Sequence, residues 1–277
     1  MAPDCSYLPG EPLRLVKYQA LGNDYLVVDD PSLLQALVPI LPRLLDRHTG
    51  LGADGLLLFD PALMTLRVFN PDGSEAEKSG NGLRIAACHA VLEHGAPDQF
   101  EIATRDRVNQ VRIQARAGNG IVCEVSMGKA DFSPDRWLHL DTAAGVARCR
   151  AVDVGNPHCV VFDQPVTMQR CLELGPALEG HPNFLPRRTN VQLVQVVAPD
   201  RARIEIWERG AGRTQASGSS AAAVGAILIH LQMCEPSLAV EMEGGVLLVR
   251  QDLDGCLFQT GPAQRVYRAE VDLTDFA

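Results

Sequence analysis

Residues 65–82 read TLRVFNPDGSEAEKSGNG, and residues 203–220 read RIEIWERGAGRTQASGSS. Aligned without a gap, Phe69 meets Trp207, Asn70 meets Glu208 and Ser79 meets Ser217, 138 positions on. Each copy runs from a strand pattern through a polar, glycine-bearing loop to a serine that opens an apolar run. Upstream, Gly22-Asn23-Asp24-Tyr25-Leu26-Val27-Val28 matches Gly155-Asn156-Pro157-His158-Cys159-Val160-Val161. Downstream, Phe100-Glu101-Ile102 matches Val240-Glu241-Met242, and Met127-Gly128-Lys129-Ala130 matches Thr260-Gly261-Pro262-Ala263. The period far exceeds the roughly 20–50 residues of a solenoid repeat. The order predicts two homologous subdomains. Duplicated halves tend to pack about a pseudo-two-fold axis, which would turn both serines toward one cleft. Matched groups on two sides of one carbon suit a racemase or epimerase.

Composition narrows the class. The chain has 277 residues, 46% hydrophobic and 21% charged, as in ordinary globular proteins. A net charge of −9 leaves no basic footprint for nucleic acid and no attraction to an anionic membrane surface. No apolar run reaches the ~18 residues of a membrane span. Residues 1–12 lack a basic start followed by an apolar stretch, so they read as a disordered lead rather than a secretory signal. The eight cysteines form no C-x-x-C pair, and several sit in apolar runs, where cysteine is a small buried hydrophobe. A reducing, cytoplasmic location fits them. The seven histidines show no metal-ligand spacing.

Leu13 to Asp29 reads as a strand with a Gly-Asn turn inside it, and Pro31 to His48 as one amphipathic helix. Gly50-Leu51-Gly52-Ala53-Asp54-Gly55 looks like a phosphate loop, but no Lys-Ser/Thr follows, so it reads as a tight turn into a strand from Leu56 to Phe59. Thr65–Asn70 and Arg203–Glu208 read as strands, with a loop from Gly210 to Ser217. Leu83–His94 reads as a largely apolar helix and Ala221–Met233 as one with almost no polar residues, the pattern of buried helices. The strands are too numerous and too short for a parallel βαβ sheet. The expected fold class is α+β: two pseudo-symmetric lobes, over 13–126 plus 263–277 and over 127–262.

Ser79-Gly80-Asn81-Gly82 and Ser217-Gly218-Ser219-Ser220 open the two buried helices. A helix start carries unpaired N–H groups and the positive end of the dipole, and glycine lets an anion approach them. Two such starts aimed at one point could hold a carboxylate and stabilise charge as an α-proton leaves. Taken alone, either serine is an N-cap. His158 alone is a structural histidine, Glu208 a solvated strand end, Arg209 a surface cation, and Asn23, Asn70 and Asn156 turn formers. Their matched positions, together with the family resemblance that follows, raise them above those readings.

Six segments now stand in order: Gly22-Asn23-Asp24, Asn70-x-Asp72-Gly73-Ser74, Gly80-Asn81-Gly82, Gly155-Asn156-Pro157-His158, Thr189-Asn190-Val191 and Glu208-Arg209-Gly210-Ala211-Gly212. Together they closely resemble diaminopimelate epimerase, from about Leu13 to the C-terminus. The resemblance implies two lobes, each a β-barrel-like sheet on a central helix, and a cofactor-independent isomerase of amino-acid (lysine) biosynthesis. It implies that Asn70, Asn156, Asn190 and Arg209 hold the distal end of an amino-acid substrate. Asn23, His158 and Glu208 would lie near the reacting end. The backbones of Gly80-Asn81 and Gly218-Ser219 would grip the proximal carboxylate.

The departure is central. The family's two catalytic cysteines fall on Ser79 and Ser217. A thiol with an ordinary pKa of about 8.5 can be tuned to a thiolate base, whereas a serine hydroxyl needs a neighbouring base. His158 and Glu208 would have to take over the proton transfers. Lys78, Ser220 and Arg213 also depart from the family pattern; typical members carry an acidic residue at the position of Arg213. Three explanations stay open: a diverged isomerase or eliminating enzyme, a cysteine-to-serine form of an ordinary epimerase, and a silent amino-acid-binding relative. No metal, flavin, nicotinamide or pyridoxal cofactor is expected, and Lys17, Lys78 and Lys129 have no marked Schiff-base context. The expected partner is a small amino-acid substrate, with no nucleic acid and no membrane; a homodimer is compatible.

Overall fold

The computed structural model describes residues 12–76, 79–105, 107–162 and 165–276; most of the 1–12 lead, Cys5 and Lys78 lie outside them. The strands and helices of the first half are β1 (Leu13–Ala20), β2 (Asn23–Val28), α1 (Leu34–Leu37), α2 (Leu41–Leu44), β3 (Gly55–Asp60), β4 (Thr65–Phe69), α3 (Gly80–His94), β5 (Gln99–Thr104), β6 (Arg107–Ala117) and β7 (Gly120–Lys129). Then come β8 (Leu138–Thr142), β9 (Gly145–Asp153), β10 (Pro157–Val161), α4 (Met168–Glu179), β11 (Asn190–Ala198), β12 (Arg201–Glu208), β13 (Gly212–Thr214), α5 (Gly218–His230), β14 (Ser237–Met242), β15 (Gly245–Gln251) and β16 (Cys256–Val271). The chain divides into two compact units. One runs to Val125 and resumes at Pro262; the other is Ser126–Gly261. The α+β class, with one central helix to each barrel-like sheet, is as expected.

In the first unit the sheet order β1-β2-β3-β4-β5-β6-β7-β16 closes on itself, because β16 also pairs β1. Gly120 makes the last closure possible: a Cβ there would stand 2.8 Å from the Ala263 carbonyl oxygen. Inside lies α3, buried continuously from Gly80 to Val91. Ser79 caps its start, and Gly95 ends it at φ 67°, a left-handed stop that glycine adopts without strain. Both faces of β2 and β3 are covered. Leu26, Val28, Leu56 and Leu58 face outward onto Leu37, Leu41 and Leu44, which explains their unbroken apolar runs.

The second unit repeats the plan, in the order β8-β9-β10-β11-β12-β14-β15-β16. Its helix α5 is buried from Gly218 to Leu228. The narrow Ala221-Ala222-Ala223 face lets strands come close, and at Gly225 a Cβ would meet Val249 at 2.5 Å. Outside, α4 places Cys171, Leu174 and Leu178 on Cys149, Cys159, Val191 and Leu193. Burial pushes Cys88, Cys123 and Cys171 up to about 12. These thiols are packing groups, as their apolar contexts predict.

Three sequence expectations need correction. Pro31–His48 is not one helix. It is two four-residue helices, α1 and α2, linked by a 3-10 turn at Val38–Ile40. Pro39 and Pro42 lack the N–H that a continuous helix needs. Second, the buried helices begin three residues early, at Gly80 and Gly218, because the serines cap them there. Third, the loop from Gly210 holds a short strand, β13, paired with β12. The sheets are mainly antiparallel, yet each unit has two parallel pairs joined by helical crossovers: β2–β3 and β4–β5, then β10–β11 and β12–β14.

Candidate active site

In the first unit the start of α3 gathers four of the expected residues. Ser79 is extended at φ −140°, and its Oγ accepts the Gly82 N–H at 2.9 Å. Asn81 donates from Nδ2 to Asn23 Oδ1 at 3.1 Å, and Asn23 donates to Asp54 Oδ2 at 2.8 Å. Asn70 stands apart from that network. It is exposed in the turn after β4, bonded to Ser74. The glycine-rich loop serves this corner through Asp54 and Gly55. Gly55 pairs with Tyr25, and a Cβ on it would lie 2.6 Å from the tyrosine ring.

Sequence reasoning passed over Tyr25. Its hydroxyl lies 3.4 Å from Ser79 Oγ. The signal was present, since Tyr25 aligns with His158 in the duplication. At this duplicated position the first unit therefore offers a phenol where the second offers an imidazole.

Beneath Asn23, an ionic cluster fixes the start of β2. Asp24 bonds Lys17 at 2.7 Å and Arg47 at 2.7 Å, and Arg47 also bonds Asp54 at 2.6 Å. Burial pushes the Asp24 carboxyl up, but the bonds from Arg47 and Lys17 more than reverse this and hold it at about 2. A carboxyl held low in the folded state stabilises it above the ordinary carboxylate range, and that contribution fades as pH falls from about 4 toward 2. Asp24→Asn is accordingly expected to lower stability at pH 7 by about 2 kcal/mol, with the difference shrinking in acid. Urea titrations at pH 7 and pH 3 check this; an equal deficit at both would refute the ionic account.

The second unit carries its own serine-capped helix start. Ser217 is extended at φ −147° and caps α5, accepting from the Ser220 N–H at 3.4 Å. Its Oγ lies 3.4 Å from that of Ser219. Gln192, fully buried on β11, donates to Ser220 Oγ at 3.0 Å and ties the strand to the helix start. His158 is buried beside Asn156, with Nε2 3.0 Å from Asn156 Oδ1. His158 sits opposite Asn190 in the parallel pair β10–β11. Asn190 donates to the Pro157 carbonyl at 3.0 Å and accepts the Arg209 N–H at 3.0 Å. These bonds draw Asn156, His158, Asn190 and Arg209 into one corner.

Glu208 ends β12 and Arg209 begins the turn after it, and Glu179, the last residue of α4, holds that turn. Its carboxylate accepts the Gly210 N–H at 3.0 Å and the Trp207 Nε1–H at 2.7 Å, and also pairs with Arg188. Arg213 lies on β13, where it pairs with Glu205 at 3.1 Å and with Glu243. The duplicated positions in the first unit are Arg67 and Glu75, paired at 2.8 Å. The same contact thus occurs in both units with its charges exchanged, which accounts for a cation at 213.

A family model described as diaminopimelate epimerase matches the chain at two stretches, residues 15–133 and 150–266. The chain belongs to the diaminopimelate epimerase family. It is 37% identical to diaminopimelate epimerase 2 of Nostoc sp., over 96% of this chain and 98% of that one. It is 35% identical to the diaminopimelate epimerase of Synechococcus elongatus, over 94% and 99%. Its fold is also that of a predicted epimerase from Pseudomonas aeruginosa, with a TM-score of 0.65 at 20% identity, covering 94% and 99%. The relatives place the chain among isomerase-type enzymes, and the family match falls once on each copy of the duplication.

Proposed function

We propose that this family member moves a proton at the α-carbon of a free, diaminopimelate-like amino acid, interconverting the LL and meso forms. The observation that carries the reading is the pair of serine-capped helix starts, one in each unit, with Tyr25 3.4 Å from Ser79 in the first and His158 at the duplicated strand position in the second. First-turn N–H groups of Gly80-Asn81 and Gly218-Ser219 would grip the α-carboxylate and stabilise charge spreading onto it. Asn70, Asn156, Asn190 and Arg209 would hold the distal amino-acid end, with Asn23 near the reacting end. His158 and Glu208 would act as bases, because Ser79 and Ser217 ionise far above neutral pH. The residues named here need no cofactor for that chemistry.

The resemblance supports a second reading. The positions it assigns to the family's catalytic cysteines carry serine, as a silent amino-acid-binding relative would. Calorimetry with diaminopimelate and α-hydrogen exchange in deuterated water separate the two. Binding with slow exchange is the expected result. Binding without exchange supports the silent relative, and loss of water or ammonia supports an eliminating enzyme. Absence of both binding and exchange removes the amino-acid reading altogether.

A further inference from the structure

Arg84, in the second turn of α3, is fully buried. Its side chain runs back toward the helix start, the direction in which helical side chains lean. Nη1 donates to the Gly80 carbonyl at 3.3 Å, Nη2 to Asn81 Oδ1 at 2.6 Å, and Nε reaches the Pro262 carbonyl at 3.5 Å. Among the described residues no carboxylate pairs with it. Burial pushes this guanidinium down to about 10, an unusual position for arginine. A buried cation without a counter-ion weakens a fold, and a hydrophobe of similar size in its place is often neutral or stabilising.

The bonds from Arg84 also set the amides of the half-site. Arg84 donates to Asn81, Asn81 to Asn23, and Asn23 to Asp54. A guanidinium only donates and a carboxylate only accepts, so each amide between them has one orientation. The matched position in the second unit is Ala222, so one half alone carries the buried charge.

We propose that Arg84 positions and charges the carboxylate site: its buried cation takes the substrate carboxylate as missing counter-ion at the first turn of α3, and its fork fixes Asn81 and Asn23. The proposal rests on the reading that Gly80-Asn81 grips that carboxylate. The test compares native protein, Arg84→Met and Arg84→Lys by calorimetry and thermal melting. The probes are diaminopimelate, its diamide, and acetate against chloride at equal ionic strength.

Arg84→Met is expected to keep or raise the ligand-free melting temperature. It should weaken diaminopimelate binding by about 10-fold or more and leave the diamide within about twofold, since only the carboxylate meets the lost charge. Arg84→Lys should restore part of the carboxylate affinity. Acetate should stabilise the native protein more than Arg84→Met. Unchanged diaminopimelate affinity in Arg84→Met overturns the proposal. So does a fall in ligand-free stability with carboxylate and amide weakened alike, which marks a packing role. If diaminopimelate fails to bind while acetate still stabilises in an Arg84-dependent way, the substrate reading falls and the Arg84 site stands. If acetate does not stabilise the native protein, Arg84 has no such role.

Discussion

Changing both caps to cysteine, Ser79→Cys with Ser217→Cys, is expected to raise α-hydrogen exchange of diaminopimelate by about 10²–10⁴-fold, the range supplied by a positioned acid or base. A thiol at a helix start is drawn toward thiolate by the dipole and by neighbouring cations. Inversion needs a base on one face and an acid on the other. Each single variant is therefore expected to exchange one configuration without inverting it. The weaker caps should cost stability, about 1 kcal/mol each. Proton NMR in deuterated water follows both configurations. A double variant that binds diaminopimelate but exchanges no faster than the native chain would show that the serines are not what limits the reaction.

Gly175→Ala should unsettle the second unit by about 2 kcal/mol, a cost typical of overpacking. The added Cβ would stand 2.5–2.7 Å from Trp207, where α4 lies directly on the indole. Relief requires the ring or the helix to move, and the 2.7 Å bond from Trp207 to Glu179 moves with it. Glu179 also holds the turn carrying Glu208 and Arg209, so substrate affinity should fall with stability. Gly180→Ala is the control, since nothing lies within 4 Å of its added Cβ. Both tryptophans, Trp137 and Trp207, belong to the second unit, so their fluorescence during urea unfolding reads that unit. Equal midpoints for the two variants would defeat the packing argument.

The fold was legible because its signals are periodic and occur twice. Two largely apolar helices and alternating strands recur in one order, and both helices are buried as that pattern requires. What escaped was local or three-dimensional. Counting leucines from Leu33 to Leu45 found helical spacing and overlooked the missing donors at Pro39 and Pro42. Tyr25 was passed over, because its proximity to Ser79 depends on the ring lying over Gly55. Arg84 carried no signal in the sequence pattern, and only the Asn81–Asn23–Asp54 chain gives it a role. Asp29, His89 and His94 converge although widely spaced in sequence, with His89 Nε2 2.6 Å and His94 Nε2 3.0 Å from the carboxylate. Arg213 looked anomalous until Glu205 was seen beside it. A charge is interpretable only with its partner, and strand pairing sets that partner.

The closure of the first barrel by β16 has a consequence for biosynthesis. A ribosome delivers β1 to β7 early, but the strand that joins β7 to β1 emerges only after the whole of the second unit. The second unit, Ser126–Gly261, is one uninterrupted stretch and can complete its own core while the first waits with two raw strand edges. The half that emerges first is thus finished last, and nascent chains stalled before Pro262 would expose those edges to chaperones or to one another.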